Sequence, residues 1–340
     1  MLRQFGLPEA VLARKPSELA AFAAPAVLEA LHSQAVRLAV ANALEWLAAP
    51  GRSLITLADD TYPRMLLEIA DPPPVLYAHG RIELLQRAAL AVVGSRNATA
   101  QGAANAESFA RALSNAGLTI VSGLALGIDA AAHRGGLAGA SSTVAVLGTG
   151  ADLVYPRRNA ELAAQIAQRG LLISEFALGT AATTHSFPRR NRLISGLARG
   201  CLVVEAALAS GSLITARAAA DQGREVFALP GSIHSPLSKG CHALIKSGAK
   251  LVESAEDVLS ELSGFRPSGY AATTVATPPA EAAGLLAHMG HDPVDVGSLC
   301  SRAGMSAEQV SSELLRLELD GRVTALPGGL YQRLEKGHRG

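Results

Sequence analysis

Cysteine, aromatic side chains and long apolar runs are all scarce in this sequence. The three cysteines, Cys201, Cys241 and Cys300, lie far apart and form no C-x-x-C pair, so their spacing indicates neither a disulfide framework nor a zinc site. No apolar stretch is long enough to span a bilayer, and the N-terminus has no basic segment leading into an apolar one. These absences predict a cytoplasmic protein with no membrane partner.

The remaining composition is that of a globular protein whose positive charge is unevenly placed. Its 340 residues are 49% hydrophobic and 17% charged, enough to bury a large core and to form more than one domain. The net charge is only +1, but basic residues outnumber acidic ones between His185 and Lys250. A concentrated basic segment either attracts polyanions or is a solvated face, and we favour a polyanion partner.

One segment, residues 187–197, concentrates this charge. Arg189, Arg190, Asn191 and Arg192 follow a proline that can open a helix and precede an apolar run that can anchor one. Such a segment holds guanidinium groups out from a rigid support. It therefore predicts a phosphate-binding surface, in which we expect Arg190 and Arg192 to contact the ligand ahead of Arg189.

From residue 88 onward, short apolar runs alternate with segments compatible with amphipathic helices. Near-continuous apolar strands joined by helices are typical of a parallel sheet covered on both faces. We therefore predict an α/β fold with an extended Rossmann-like, doubly wound parallel sheet. The predicted strands are residues 90–93, 118–121, 144–147, 171–173, 202–204 and 226–229.

The segments that follow these strands are rich in glycine and serine. Ligands of doubly wound sheets bind beyond the carboxyl ends of the strands, so these segments form the candidate site. Small residues leave backbone N–H groups accessible to an anion, although tight turns alone also require glycine. Arg96 adds a guanidinium to the first loop. The other predicted pocket residues are Gly94, Ser95, Gly123, Gly127, Gly148, Gly211 and Ser212.

Motifs of several enzyme classes are missing. The loop after the first strand does not match G-x-G-x-x-G, and the chain contains no G-x-x-x-x-G-K-[ST]. Asp129 and His133 are four residues apart on one predicted helix, without a G-x-S-x-G elbow, so we expect them to cap or brace it. His234 and His242 have no carboxylate nearby to complete a metal site. We therefore predict no catalytic residue, no metal site and no cofactor.

Six blocks of the central region resemble the DNA-processing protein A family, DprA or Smf. They read AVVGSR (91–96), VSGLALGID (121–129), VLGTG (146–150), FPRRNRLISGL (187–197), GSLITA (211–216) and LPG (229–231). The resemblance covers the whole central domain. It implies a non-enzymatic recombination mediator that binds single-stranded DNA and loads the RecA recombinase during natural transformation. It also implies a homodimer formed through the Rossmann-like domain.

The same resemblance assigns residues to the strand. Its first block implies contacts from Gly94, Ser95 and Arg96, and its fourth block implies contacts from Arg190, Asn191 and Arg192. Arg189 remains a candidate from the charge of the segment alone. Lys239, in a family-like turn before Gly240, is a further candidate. Arginines and helix N-termini would neutralise successive phosphates, which gives sequence-tolerant and salt-sensitive binding. Guanidinium planes can also stack on bases, which matters because aromatic residues are only 4% of the chain.

Two regions flank the central domain, which we place at residues 89–262. Residues 1–88 predict a SAM-like helical region with a lead-in strand, and the resemblance implies that the chain begins inside that helical domain. Residues 263–282 are rich in Ser, Thr, Pro, Gly and Ala and predict a flexible linker. Residues 283–335 predict a winged helix, with a capping box at Ser306 and Gln309.

Two other functions stay open. A Rossmann enzyme acting on a nucleoside phosphate, as in the phosphoribohydrolase group, would need P-G-G-x-G-T-x-x-E, but Pro230-Gly231 continues without the catalytic glutamate. A winged-helix DNA-binding regulator would place the helix opened by Ser306 in the major groove. Phosphates would repel the carboxylates of that helix, among them Glu308 and Glu313, so we favour protein contact or regulation for this domain.

Overall fold

A computed structural model describes residues 2–5, 8–31, 33–262, 264–266, 284–290 and 292–334. The predicted linker at residues 263–282 falls almost entirely outside these ranges. Contacts divide the chain into two units, Met1–Ser53 and Leu54–Gly340. Within the described ranges, every helix is too short or too polar to cross a membrane.

Short helices fill the described part of the first unit, in agreement with its helical sequence pattern. The longest of them begins after Ser33, whose Oγ accepts a hydrogen bond from the Val36 N–H at 3.2 Å and so caps it. The helices are α1 (Leu2–Phe5), α2 (Pro8–Leu12), α3 (Pro16–Leu19), α4 (Pro25–Leu31) and α5 (Gln34–Leu47).

A nine-stranded sheet forms the centre of the fold. Its strands are β1 (Arg52–Thr56), β2 (Val75–Gly80), β3 (Ala89–Val93), β4 (Thr119–Ser122), β5 (Thr143–Val146), β6 (Leu171–Ser174), β7 (Gly200–Val203), β8 (Glu225–Ala228) and β9 (Lys250–Leu251). Their order across the sheet is β1-β2-β6-β5-β4-β3-β7-β8-β9. Strands β3 to β9 pair in parallel, whereas β2 runs antiparallel to β6.

The six strands predicted from apolar runs are all present, displaced by no more than two residues. Most of them are buried at every position, as a parallel sheet covered on both faces requires. The flanking helices are α6 (Arg64–Leu67), α7 (Ala100–Asn115), α8 (Ile128–Ala138), α9 (Ala160–Arg169), α10 (Ser186–Gly196), α11 (Ser212–Asp221), α12 (Lys239–Lys246) and α13 (Ala255–Glu261). Short 3-10 turns lie at Ile82–Gln86, Arg157–Asn159 and Pro236–Ser238.

Alternate residues of each strand serve two different cores. Leu90 and Val92 of β3 pack with α7, α8 and α13, whereas Ala91 and Val93 pack with α10 and α11. The predicted doubly wound α/β architecture is therefore confirmed. Its strand order reverses between β3 and β7, because the chain builds outward from β3 toward β6 and then returns to β7 on the other side. Doubly wound sheets bind their ligands at this switch point.

The described C-terminal residues form the predicted winged helix. It comprises α14 (Leu285–Met289), β10 (Val294–Asp295), α15 (Val296–Ala303), α16 (Ala307–Leu319), β11 (Val323–Leu326) and β12 (Leu330–Arg333), with sheet order β10-β12-β11. The capping box is confirmed, since Ser306 N–H donates to Gln309 Oε1 at 3.0 Å and Gln309 N–H donates to Ser306 Oγ at 3.3 Å.

Candidate nucleic-acid interface

A crevice of about 710 Å³ opens at the switch point, beyond the carboxyl ends of β3 and β7. The loop after β3 and the residues that follow β7 form its two walls, and α10 lies along it. Its lining includes Gly94, Ser95, Arg96, Asn97, Tyr155, Thr184, Phe187, Arg190, Asn191, Ser210, Gly211 and Ser212. This volume suits part of a polymer or a small ligand.

The loop after β3 is fixed by its own backbone. Ser95 N–H donates to Glu205 O at 2.7 Å, and Ser95 O accepts from Ile128 N–H at 3.1 Å. Gly127 has φ +74°, and a Cβ there would lie 2.2 Å from Ser95 O, so only glycine fits. These contacts place the exposed side chain of Arg96 at the mouth of the crevice.

One helix N-terminus near the crevice already has its anion. The Glu205 carboxylate accepts from Thr99 N–H at 2.9 Å and from Thr99 Oγ1 at 2.6 Å, and Thr99 in turn caps α7 through Gly102 N–H. A carboxylate at this position satisfies the donors of the helix start. This helix N-terminus is therefore not available to a ligand phosphate.

Asp129 and His133, which the sequence predicts to cap or brace their own helix, bond the loop between β4 and α8. The Asp129 carboxylate accepts from the N–H groups of Gly123 and Ala125 at 3.1 and 3.3 Å, and His133 Nε2 accepts from Leu124 N–H at 3.2 Å. Burial lowers the pKa of His133 to about 3, so the imidazole is neutral at physiological pH. A neutral, fully bonded imidazole of this kind holds the loop in place.

Arg190 lies in the interior beneath the crevice. The residue is only 4% exposed, and its Nη1 donates to Gly123 O at 2.6 Å and to Val146 O. Burial lowers the pKa of Arg190 to about 10, opposed by the nearby charge of Asp129, so the guanidinium stays charged. Burial likewise raises the pKa of Asp129, and Arg190 opposes that shift. The arginine ties the loops after β4 and β5 to α10.

Arg189 and Arg192 point away from the crevice. Both form ion pairs with Glu175, at the end of β6, and Arg192 Nη1 also donates to Asp71 O at 2.6 Å. The side chain of Arg192 is 18% exposed and that of Arg189 is 59% exposed. The order of accessibility is therefore the reverse of the order in which the sequence analysis ranks the three arginines. Of the four polar residues in this segment, Asn191 and the buried Arg190 line the crevice.

Two aromatic rings in the crevice escape the sequence analysis. The Arg96 guanidinium lies over the Phe187 ring at 5.2 Å from its centroid, and the Tyr155 ring lies 5.6 Å from Phe187 at a 39° tilt. Phe187 is half-buried and Tyr155 is 49% exposed. A signal for Phe187 was available, since it is the aromatic residue at the start of the basic segment.

The remaining predicted residues separate into lining and support. Gly211 and Ser212 line the crevice, and the Ser212 Oγ lies 2.7 Å from Ser210 Oγ. Gly148 stands behind Phe187, where an added Cβ would meet the ring at 2.9 Å, and Gly123 carries the carbonyl that holds Arg190. Lys239 is exposed at the start of α12 and lies outside the crevice lining.

Fold and crevice together define a doubly wound α/β protein with an arginine- and aromatic-lined site at its switch point. The family model described as DNA recombination-mediator protein A matches residues 53–263, and the DprA winged helix domain model matches residues 270–329. The chain belongs to the DNA recombination-mediator protein A family.

Individual relatives extend this match. Protein Smf of Escherichia coli (strain K12) is 43% identical over 314 residues, which are 88% of this chain and 82% of the relative. DNA processing protein DprA of Streptococcus pneumoniae is 49% identical over 206 residues, which are 61% of this chain and 73% of the relative.

Two solved structures share the fold. The X-ray structure of DprA from Streptococcus pneumoniae has a TM-score of 0.66 and 42% identity, over 73% of this chain and 86% of that one. A structure concerned with the single-stranded DNA binding mode of DNA processing protein A from Helicobacter pylori has a TM-score of 0.56 and 30% identity. It covers 61% of this chain and 94% of that one.

Proposed function

We propose that this protein is a single-stranded DNA-binding recombination mediator that holds the strand in the switch-point crevice. The observation that carries the proposal is the exposed Arg96 guanidinium stacked on Phe187 beside Tyr155, at the edge of a sheet where such folds bind ligands. In this proposal the protein binds the strand without altering it chemically, and it needs neither a catalytic residue nor a cofactor.

The chemistry of the crevice fits an unpaired strand better than a duplex. Arginine offers several N–H donors to a phosphate, and aromatic faces stack on bases that a duplex keeps internal. Stacking and phosphate contacts do not depend on base identity, so binding is expected to tolerate any sequence.

We assign different roles to the residues that the sequence analysis grouped together. Gly94, Ser95, Arg96 and Asn191 contact the strand, and Phe187 and Tyr155 contact its bases. Arg190 and Arg192 position α10, since backbone carbonyls and carboxylates occupy their guanidinium groups. Lys239 adds positive charge beside the crevice.

Family membership supports the wider role. We propose that the protein protects incoming single strands and loads RecA during natural transformation, in the cytoplasm and as a homodimer through its Rossmann-like domain. We also keep the division into residues 1–88, 89–262, 263–282 and 283–335 as a proposal.

Fluorescence polarisation with labelled oligonucleotides tests strand binding directly. We expect single strands to bind more tightly than duplex of the same length, and Arg96→Ala to weaken binding and to reduce the magnitude of the slope of log affinity against log salt by about 0.7. Arg134→Ala is the control, because Arg134 is likewise an exposed arginine but pairs with Glu107 and belongs to α8 outside the crevice lining. Equal affinity for duplex, or identical effects of the two substitutions, would contradict the proposal.

A further inference from the structure

A second arginine–aromatic pair lies on the outer side of α10. The Arg189 guanidinium stands over the Phe176 ring at 5.6 Å from its centroid, much as Arg96 stands over Phe187 inside the crevice. Neither Arg189 nor Phe176 lines the crevice. The two stacks therefore occupy separate places, one in the crevice and one outside its lining.

A buried carboxylate, that of Glu175, contacts the Arg189 guanidinium. Its Nη2 lies 3.3 Å from Glu175 Oε2, and the Glu175 side chain is only 2% exposed. Burial raises the pKa of Glu175, while Arg192 and Arg189 act in the opposite direction. The same carboxylate also pairs with Arg192, which Asp71 holds on its other side. A buried carboxylate and a ring together fix where the Arg189 guanidinium can go.

The outer edge of Arg189 stays accessible. Its side chain is 59% exposed, so N–H groups beyond the one that faces Glu175 reach solvent. A guanidinium presents five donors in a planar fork, and one pairing with a carboxylate leaves an edge for a phosphate. Because the side chain is already ordered, binding there loses less conformational entropy than binding to a free arginine.

We propose that Arg189, supported by Glu175 and Phe176, is a second phosphate-binding site that takes the strand as it leaves the crevice. The inference rests on the proposed strand binding. An α-helix with its side chains is about 10 Å across, so a strand that fills the crevice needs only a few more nucleotides to pass over α10. Arg189 therefore contributes only when the strand is long enough.

Strand length is the variable that tests this site. Oligothymidylates from about 4 to about 16 nucleotides span the lengths that single DNA-binding folds cover, and their affinities would be measured by fluorescence polarisation over a salt series. We expect Arg189→Ala to match wild type on the shortest strands. On the longer strands it should bind several-fold more weakly, with a salt slope smaller in magnitude by about 0.7.

Two companion variants separate the explanations. Phe176→Leu removes the ring but keeps an apolar side chain, and we expect a smaller loss confined to the longer strands. Arg96→Ala should weaken binding at every length. If Arg189→Ala binds strands of every length as tightly as wild type, the second site is overturned and the crevice proposal stands. The same holds if Arg189→Ala weakens binding equally at every length. Failure of the wild-type protein to bind any strand would overturn both proposals.

Discussion

At the scale of the residue, Arg190 shows how a buried arginine differs from a surface one. Gly123 O, Val146 O and the Asn191 side chain accept its hydrogen bonds, and the negative charge of Asp129 raises its pKa against the effect of burial. Removing such a partner leaves carbonyls without a donor and a buried carboxylate without its counter-charge. We therefore expect Arg190 to stabilise the fold rather than to contact a ligand directly.

We expect Arg190→Met to lower the free energy of unfolding by about 1–3 kcal/mol for each buried carbonyl left without a donor, Gly123 O and Val146 O. Denaturant unfolding followed by circular dichroism would measure it. Arg189→Ala should change stability by less than about 1 kcal/mol, because the Arg189 side chain is largely exposed. An Arg190→Met protein as stable as wild type but unable to bind a strand would favour direct contact.

His133 gives a test that depends on pH. Its folded pKa is about 3 and its ordinary value is 6.5, so between these values the unfolded chain takes up a proton that the folded protein cannot. The stabilisation due to the neutral imidazole is complete above about pH 6.5 and is lost as pH falls toward 3. In His133→Gln this component is absent. The difference in unfolding free energy between wild type and variant should therefore fall with decreasing pH, by up to about 1.4 kcal/mol per pH unit. A constant difference would show that the imidazole is not buried.

At the scale of the element, the orientation of α10 about its axis determines which of its arginines is buried and which is exposed. The buried positions of this helix include Arg190, Leu193 and Ile194, spaced three and four apart, and Leu197 continues the stripe. The same spacing is visible in the sequence, so the periodicity could have placed Arg190 inside. Charge counted along the chain cannot reveal this, because it ignores which face of the helix a residue occupies.

The exposed face of α16 indicates that the winged helix does not bind a nucleic-acid backbone through this helix. Leu315 and Leu319 are 59% and 82% exposed, and Glu308 and Glu318 are exposed on the same helix. An apolar and acidic face suits a protein surface and not a phosphate backbone.

We therefore expect the double substitution Leu315→Ser and Leu319→Ser to leave the affinities for single strands and for duplex unchanged within about twofold. Polarisation assays on the full chain would measure both. A selective loss of duplex affinity would instead support the regulator interpretation and place α16 in a groove. The thermal melting temperature serves as the folding control, since neither leucine is part of the domain core.

At the scale of the whole molecule, the parallel centre of the sheet and the lead-in strand at one edge were predictable, whereas β2 and β9 were not. Buried parallel strands such as β3 and β7 are apolar throughout, which makes them stand out from the helices between them. Strand β2 directly follows a proline-rich turn and is buried at only two of its six positions, so it lacks the continuous apolar pattern of the central strands. Side-chain partners separated by long stretches of chain, such as Phe187 and Arg96, depend on the completed fold.

The walls of the crevice come from distant parts of the chain, and this has a consequence for synthesis. The contact of the crevice residue Arg190 with Gly123 spans 67 positions, and that of Thr99 with Glu205, beside the loop after β3, spans 106. While only the loop after β3 has left the ribosome, Arg96 lacks the later residues that surround it in the folded protein. Long-range closure of this kind is slow compared with local helix formation. We therefore expect a chain truncated before β7 to lose the proposed strand binding, because it contains Arg96 and Phe187 but lacks Glu205 and the crevice wall that follows β7.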